Sequence, residues 1–335
     1  MVKRTFAFIF FLVIGIGLFV SVIVTTGVDS IVESLSKFSL LNFILLVVLS
    51  LLNFALFTLR WDMILHHHHE GEKVPFYRLF LHRMSAYAVN YLTPSAQTAG
   101  EPVRLFFLQE EGVDTKDAVS TIVIDKIFEY TALILFIFSG VVVSMIEGSM
   151  FSGKIEIMLM AVILIFGGLI FWFYYATIKK IGFFSSLFRF FRLNKIKRIQ
   201  KHEQSIIHVE EQMAMFYINN VGKFIFLLIL SFATVLFMVL EHYLIAYFMG
   251  VNLSFLQSFL SATIPGISYL IPIPGALGML EGSHAGIFAL LGVSINVFVF
   301  VLIIRLRDLV FIFIGLAHAS KQGIGMIKKS FKQKN

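Results

Sequence analysis

Ten ionisable residues lie where the chain is otherwise too apolar to solvate them. Glu101, Arg104, Asp125, Lys126 and Glu129 fall in one region, and Glu281, His284, Arg305, Arg307 and Asp308 in another. Glu241 and His242 sit late in a third apolar run. A charge inside a membrane segment is costly unless it is paired or wet, which makes each of these a functional candidate. Spacing tells which can meet on one helix. Glu101 and Arg104 are three apart, as are Lys126 and Glu129 and also Arg305 and Asp308, so each couple can share a face. Asp125 and Glu129 are four apart, which puts two carboxylates on one face. Such groups do one of two things: they neutralise one another and lock helices together, or they line a polar groove that admits a charged headgroup. Apolar side chains would pack a bundle with less desolvation cost, which favours the groove for the set as a whole.

The elements that must position these charges are membrane helices. Hydrophobic residues make up 58% of the 335-residue chain and charged residues 14%, with a mean hydropathy of +0.89. A soluble domain is roughly half apolar and about a quarter charged, so a soluble enzyme is excluded. With no Cys, there is no disulfide and no thiolate metal site. The composition implies an all-α polytopic membrane protein with a single membrane domain, residues 1–335. Apolar runs near the length of a bilayer crossing predict spans at Phe6–Val24, Leu40–Leu59, Val119–Met145, Ile157–Ile178, Phe224–Phe248 and Val297–Ala317.

Two further apolar stretches, Leu79–Leu108 and Phe255–Leu291, are interrupted near their middles by Pro94 and Gly100, and by Pro272, Pro274, Gly275 and Gly278. Charge placement decides how they run. Lys179–Lys201 holds eight basic residues and no acidic one, and the tail after His318 holds five Lys. Both belong on the cytoplasmic side. Treating the interrupted stretches as re-entrant hairpins leaves six full spans and puts both basic segments and the N-terminus inside. The piece Lys195–Tyr217 carries Ile199, Ile206, Val209, Met213 and Phe216 at helical spacing, which predicts a helix resting on the cytoplasmic leaflet within a basic amphipathic segment, 179–218.

The two interrupted stretches align at an offset of 180. Pro94 matches Pro274, Glu101 matches Glu281, Gly112-Val113 matches Gly292-Val293, and Asp125 matches Arg305. A one-residue slip sets Lys73–Phe76 against Asn252–Phe255. The chain thus contains two copies of one unit, 40–145 and 221–320: span, broken hairpin, charged span. An odd number of spans separates their starts, so the copies face opposite ways, as in inverted-repeat transporters. The break at Pro272–Gly275 frees backbone groups that protein or water must satisfy, and a helix restarting after Gly275 would aim its N-terminus at the midplane, where anions are favoured. Gly278, Gly282 and Gly286 recur every fourth residue, a pattern for close helix packing.

Other signals carry less. His66–His69 are consecutive, so their side chains splay and do not converge on one metal; a solvated turn is expected, and no metal and no cofactor. No phosphate loop, zinc-protease motif or nucleophile elbow is present, and nucleic-acid binding is not indicated.

The motifs resemble those of a known family. Pro94…Gly100-Glu101-Pro102-Val103-Arg104 is similar to the "P…GE-x-x-R" segment of the lysylphosphatidylglycerol synthase transmembrane-region, or flippase-like domain, family. Asp125-Lys126-Ile127-Phe128-Glu129 resembles its "ER-x-x-D", Pro274–Glu281 its "PGG-x-G-x-x-E" with Ala276 at the second glycine, and Arg305–Asp308 its "R-x-x-D". The resemblance runs from about Asn42 to Leu316. It implies the lipid-translocating half of such synthases without their soluble aminoacyl-transferring domain, since only Lys321–Asn335 follow the last span. The location it implies is the cytoplasmic (inner) membrane of a prokaryote.

On this basis a flippase-like transporter is expected, with membrane phospholipids as partners. Arg104, Lys126, Arg305 and Arg307 would hold a lipid phosphate; Glu101, Glu281, Asp125 and Asp308 would take a cationic group or a proton. Two alternatives stay open. A membrane-embedded transferase with Glu101 or Glu281 as general base predicts a new covalent lipid product. A non-catalytic partner of a lipid-synthesising enzyme predicts that neutralising the hairpin charges leaves function intact.

Overall fold

The computed structural model describes residues 38–68, 73–95, 97–146, 153–190, 203–219 and 221–334, with 29, 32, 33 and 36 before them. The expected span Phe6–Val24, His69, most of the Glu147–Lys154 turn and the basic stretch Arg192–Lys201 lie outside the described residues. The described chain is helical and contains no strand. Its helices are α1 (Leu40–His68), α2 (Phe76–Leu92), α3 (Gly100–Glu110), α4 (Thr115–Ile146), α5 (Gly153–Ile178), α6 (Phe183–Phe190), α7 (Glu203–Asn219), α8 (Val221–Phe248), α9 (Phe255–Thr263), α10 (Met279–Leu290) and α11 (Val297–Lys334). Two 3₁₀ turns, Pro265–Leu270 and Pro274–Ala276, lie between α9 and α10.

Within α1 and α8, Leu40–His66 and Val221–Phe248 are long and apolar enough to cross a membrane. The helices outrun the apolar stretches that announce them: α1 continues past Leu59 to His68, and α11 carries on through the lysine tail to Lys334. Helix propagation needs only the next backbone hydrogen bond, and Lys and Gln are good helix formers.

Local structure recurs within one residue of the sequence offset. Helices α2 and α9 start at Phe76 and Phe255, and α3 and α10 at Gly100 and Met279. Helices α3 and α10 end in the same turn. Gly112 (φ 86°) and Gly292 (φ 65°) take the left-handed conformation, Val113 N–H reaches Leu108 O at 3.0 Å, and Val293 N–H reaches Phe288 O at 2.9 Å. This six-to-one bond after a left-handed glycine closes a helix by satisfying its last carbonyls. The breaks differ. The first is a short bend over Thr93–Ser95, closed by Gly100 N–H on Asn90 Oδ1 at 2.6 Å. The second is longer and runs through both 3₁₀ turns.

The described chain falls into two compact units. One gathers the described residues up to Ala55, Tyr77–Arg104 and the chain from Leu236 onward; its core joins Leu46, Ile245, Phe288, Phe300 and Ile304. The other gathers Leu56–Phe76 and Leu105–Val235, with Ile64, Phe128, Phe173, Met213 and Phe216 at its core. The apolar face of α7, expected to rest on lipid headgroups, is covered by protein instead. Val209, Met213 and Phe216 are buried against α4 and α5, and Gln212 bonds Asp117 and Ser120 of α4. The same periodicity serves a lipid surface or a protein core; the neighbours decide which.

The glycines divide in the same way. Gly282 and Gly286, read as a packing stripe, face open space: a Cβ there meets nothing within 4 Å. Close approach occurs at glycines with no period. A Cβ on Gly315 of α11 would lie 2.3 Å from Met84 O of α2, where Ser85 Oγ also bonds Gly315 O at 2.9 Å. Gly315→Ala should therefore lower stability by about 1–3 kcal/mol through overpacking. Gly282→Ala should raise it by about 0.5–1 kcal/mol, since Gly is the poorer residue inside a helix. Thermal unfolding of the detergent-solubilised variants checks both signs.

Candidate functional site

Each cation expected at the site stands beside a carboxylate. Arg104 Nη1 lies 3.0 Å from Glu101 Oε2, and Lys126 Nζ 3.2 Å from Glu129 Oε2. These are two of the three i, i+3 couples that spacing predicts, each on a single helix. Arg305 does not take its anion from its own helix. Its Nε and Nη2 grip both oxygens of Glu281 on α10, at 2.7 and 2.9 Å. Asp308 is held by its chain neighbour, Arg307, whose Nε and Nη2 donate to Oδ1 at 3.1 and 2.8 Å. Arg307 Nη1 donates to Glu241 on α8. Asp308 is fully buried, and its Oδ2 has no hydrogen-bond partner among the described residues.

The second break is built around Arg305. The left-handed pair Gly275 (φ 57°) and Ala276 (φ 47°) turns the chain, and α10 restarts at Met279 behind Gly278 (φ 75°). The restart comes later than Gly275, and its first turn already carries a carboxylate, Glu281. The positive end of α10 is thus complemented by its own side chain. Arg305 Nη1 donates to Gly275 O at 2.9 Å, satisfying a carbonyl that the break leaves outside a helix, and to Tyr91 Oη at 3.0 Å. Ser268 Oγ meets Ser283 Oγ at 2.9 Å, tying the first 3₁₀ turn to α10. A left-handed conformation costs an L-residue about 1–2 kcal/mol. A Cβ on Gly275 would also lie 2.7 Å from the Tyr91 ring. Gly275→Ala should therefore destabilise by at least about 1–2 kcal/mol. Ala276→Gly should stabilise, by up to about 1 kcal/mol, because it relieves the same backbone cost. Equal effects of the two substitutions on the melting temperature would contradict this account.

Beside the clamp lies a groove of about 450 Å³. Tyr91 and Leu92 of α2, Pro274, Gly275 and Leu277 of the break, and Leu302, Arg305, Leu306 and Leu309 of α11 line it. Its walls are aliphatic except for one guanidinium and one phenol. His242 of α8 and His284 of α10 stack nearly parallel, 5.7 Å apart, next to Phe300. Each Nδ1 sits 2.9 Å from the carbonyl four residues back, Met238 and Leu280.

A second charged cluster lies within the other unit and turns on a residue that sequence reasoning missed. Arg60 of α1 is fully buried, as is Asp125 of α4, and Arg60 Nε bonds Asp125 Oδ1 at 2.8 Å. Its Nη1 reaches Ser231 Oγ at 3.1 Å, and its Nη2 stands 3.7 Å from Glu129 Oε2. The two carboxylates four apart thus share one arginine. Arg60 closes an apolar run, where a charge ordinarily marks the membrane boundary. The clue available was its place one residue before Glu241 at the repeat offset. Arg60–Asp125 ties α1 to α4, and Glu241–Arg307 ties α8 to α11. The two ion pairs carry their charges in exchanged order along the sequence, Arg then Asp in one and Glu then Arg in the other.

His66 pairs with Asp62 at 3.0 Å in the last turns of α1. Among the described residues, no three His, Asp or Glu come together as a metal-binding group.

Comparison with known proteins is consistent with these motifs. A UPF0104 membrane protein from Methanothermobacter thermautotrophicus is 25% identical over 300 residues, covering 85% of this chain and 86% of its own. No solved structure gives a significant match. The family model described as "Lysylphosphatidylglycerol synthase TM region" matches residues 9–315. The protein is an integral membrane protein, and the chain belongs to the lysylphosphatidylglycerol synthase transmembrane-region family.

Proposed function

We propose that this protein is a lipid flippase, moving a phospholipid headgroup across the bilayer without forming a covalent product. The observation that carries the reading is the groove beside Arg305. Its leucine walls suit acyl chains, and a guanidinium and a phenol stand in its lining where a headgroup would need a donor. Membership of a transmembrane-region family and the buried charges on motif residues support it. In this reading α2–α3 and α9–α10 are re-entrant hairpins within six full spans, N-terminus and C-terminus inside. The repeats 40–145 and 221–320 are inverted, and rocking of one against the other alternates access. The recurrence of the glycine-capped turns and of the charge-exchanged ion pairs supports the repeat. The membrane is the cytoplasmic membrane of a prokaryote, and the driving force is an ion or lipid gradient.

The test is reconstitution in liposomes with labelled anionic, zwitterionic and aminoacylated phospholipids, beside Glu101→Gln and Glu281→Gln. Transbilayer movement of one lipid class, lost in both folded variants, is the expected result. No movement of any class by folded, inserted protein would overturn the proposal.

A further inference from the structure

The hydrogen bonds that Arg305 makes to the second break, to α10 and to Tyr91 are unequal. Two go to the Glu281 carboxylate and one to the Gly275 carbonyl, all on the segment from the second break into α10. Another goes to the hydroxyl of Tyr91, at the end of α2. A neutral phenol is the weakest of these acceptors, since its oxygen carries neither the charge of a carboxylate nor the large partial charge of an amide carbonyl. Tyr91 is half-buried, stands in the wall of the groove with Arg305, and lays its ring against the face of Gly275. The bend over Thr93–Ser95 follows directly, so the residue sits beside a joint in the chain.

We propose that Tyr91 is the gate of the lipid groove. Its hydroxyl holds the Arg305 N–H that a phospholipid phosphate oxygen takes on binding, and its ring holds the space over Gly275 that the lipid enters. This rests on the flippase reading and adds the ligand atom and the residue it displaces. Glu281 keeps two N–H groups of Arg305 throughout, so the guanidinium stays anchored while the phenol is exchanged. Tyr91 is a positioning residue: it acts on the lipid through Arg305.

Occupancy is read separately from transport. The protein is placed in nanodiscs with a diacyl phospholipid carrying a photoreactive diazirine in one chain, or with a diacylglycerol carrying the same chain and no phosphate. In the unaltered protein the phospholipid should label the Leu302–Leu309 peptide several-fold more than the diacylglycerol. Tyr91→Phe keeps the ring and removes only the hydroxyl; it should raise phospholipid labelling several-fold and leave diacylglycerol labelling unchanged. Leu306→Trp, which fills the groove, should suppress both. Unchanged phospholipid labelling in folded Tyr91→Phe overturns the gate. Equal labelling by the two probes in the unaltered protein overturns the phosphate assignment, and needs no variant. Expected labelling without transbilayer movement sinks the flippase reading and leaves this site. Movement with labelling indifferent to Tyr91 does the reverse.

Discussion

Arg60→Met should be among the most damaging single substitutions in the protein, lowering stability by about 3–5 kcal/mol. The reason is what it leaves behind. Asp125 is fully buried, and Arg60 supplies it with a charge-assisted bond at 2.8 Å. Without the arginine, an ionised carboxylate stays in the interior and loses the cation that offsets its desolvation. Glu129 loses a second cation at 3.7 Å but keeps Lys126 at 3.2 Å, so the damage centres on Asp125. The double variant Arg60→Met with Asp125→Leu should recover much of the loss, because a buried pair replaced by packed apolar groups is often tolerated. Unfolding of the purified protein in mixed detergent, followed by circular dichroism, gives the three stabilities. A single variant no less stable than the double would show that Asp125 has other compensation, and the pair would not be what joins α1 to α4.

That pair also marks how far the sequence can be read. Couples three apart on one helix, Glu101–Arg104 and Lys126–Glu129, meet as their spacing says, because a helix face is a local property. The interruption of both apolar stretches is equally local: Pro and Gly end helices wherever they stand. The partner of a buried charge on another helix is not local. Arg305 has Asp308 on its own face three residues on, and still its fork closes on Glu281, since α10 offers both carboxylate oxygens to two of its nitrogens at once. Tyr91 carries no signal at all: one aromatic among many in an apolar run reads as packing. Periodic glycine misleads for the opposite reason. Gly282 and Gly286 form a pattern that nothing fills, whereas Gly100 and Gly315, isolated in sequence, are where backbones touch.

Arg305→Lys is the second substitution with a large expected effect, and its consequence should be confined to one segment. Lysine keeps the charge but presents a point donor in place of a planar fork. It can hold one oxygen of Glu281; it cannot at the same time reach the Gly275 carbonyl and Tyr91 as Arg305 Nη1 does at 2.9 and 3.0 Å. Arg305→Ala removes the charge too and strands Glu281, a loss of about 3–5 kcal/mol. The lysine variant should fall between this and the unaltered protein, by about 1–3 kcal/mol, the cost of leaving a buried acceptor unsatisfied. Amide hydrogen exchange locates the effect. Protection should drop across Ile271–Gly278, where the backbone bonds are those of short turns and Arg305 supplies the side-chain bond to the Gly275 carbonyl. It should persist in α8, whose bonds are those of a continuous helix. If protection in the break is unchanged while the protein is destabilised, Arg305 contributes through Glu281 alone. If it falls only in the break and lipid movement stops, then the bond from Arg305 to Gly275 is what shapes the groove, and the fork of an arginine is the reason that this position can both close a helix break and face a lipid.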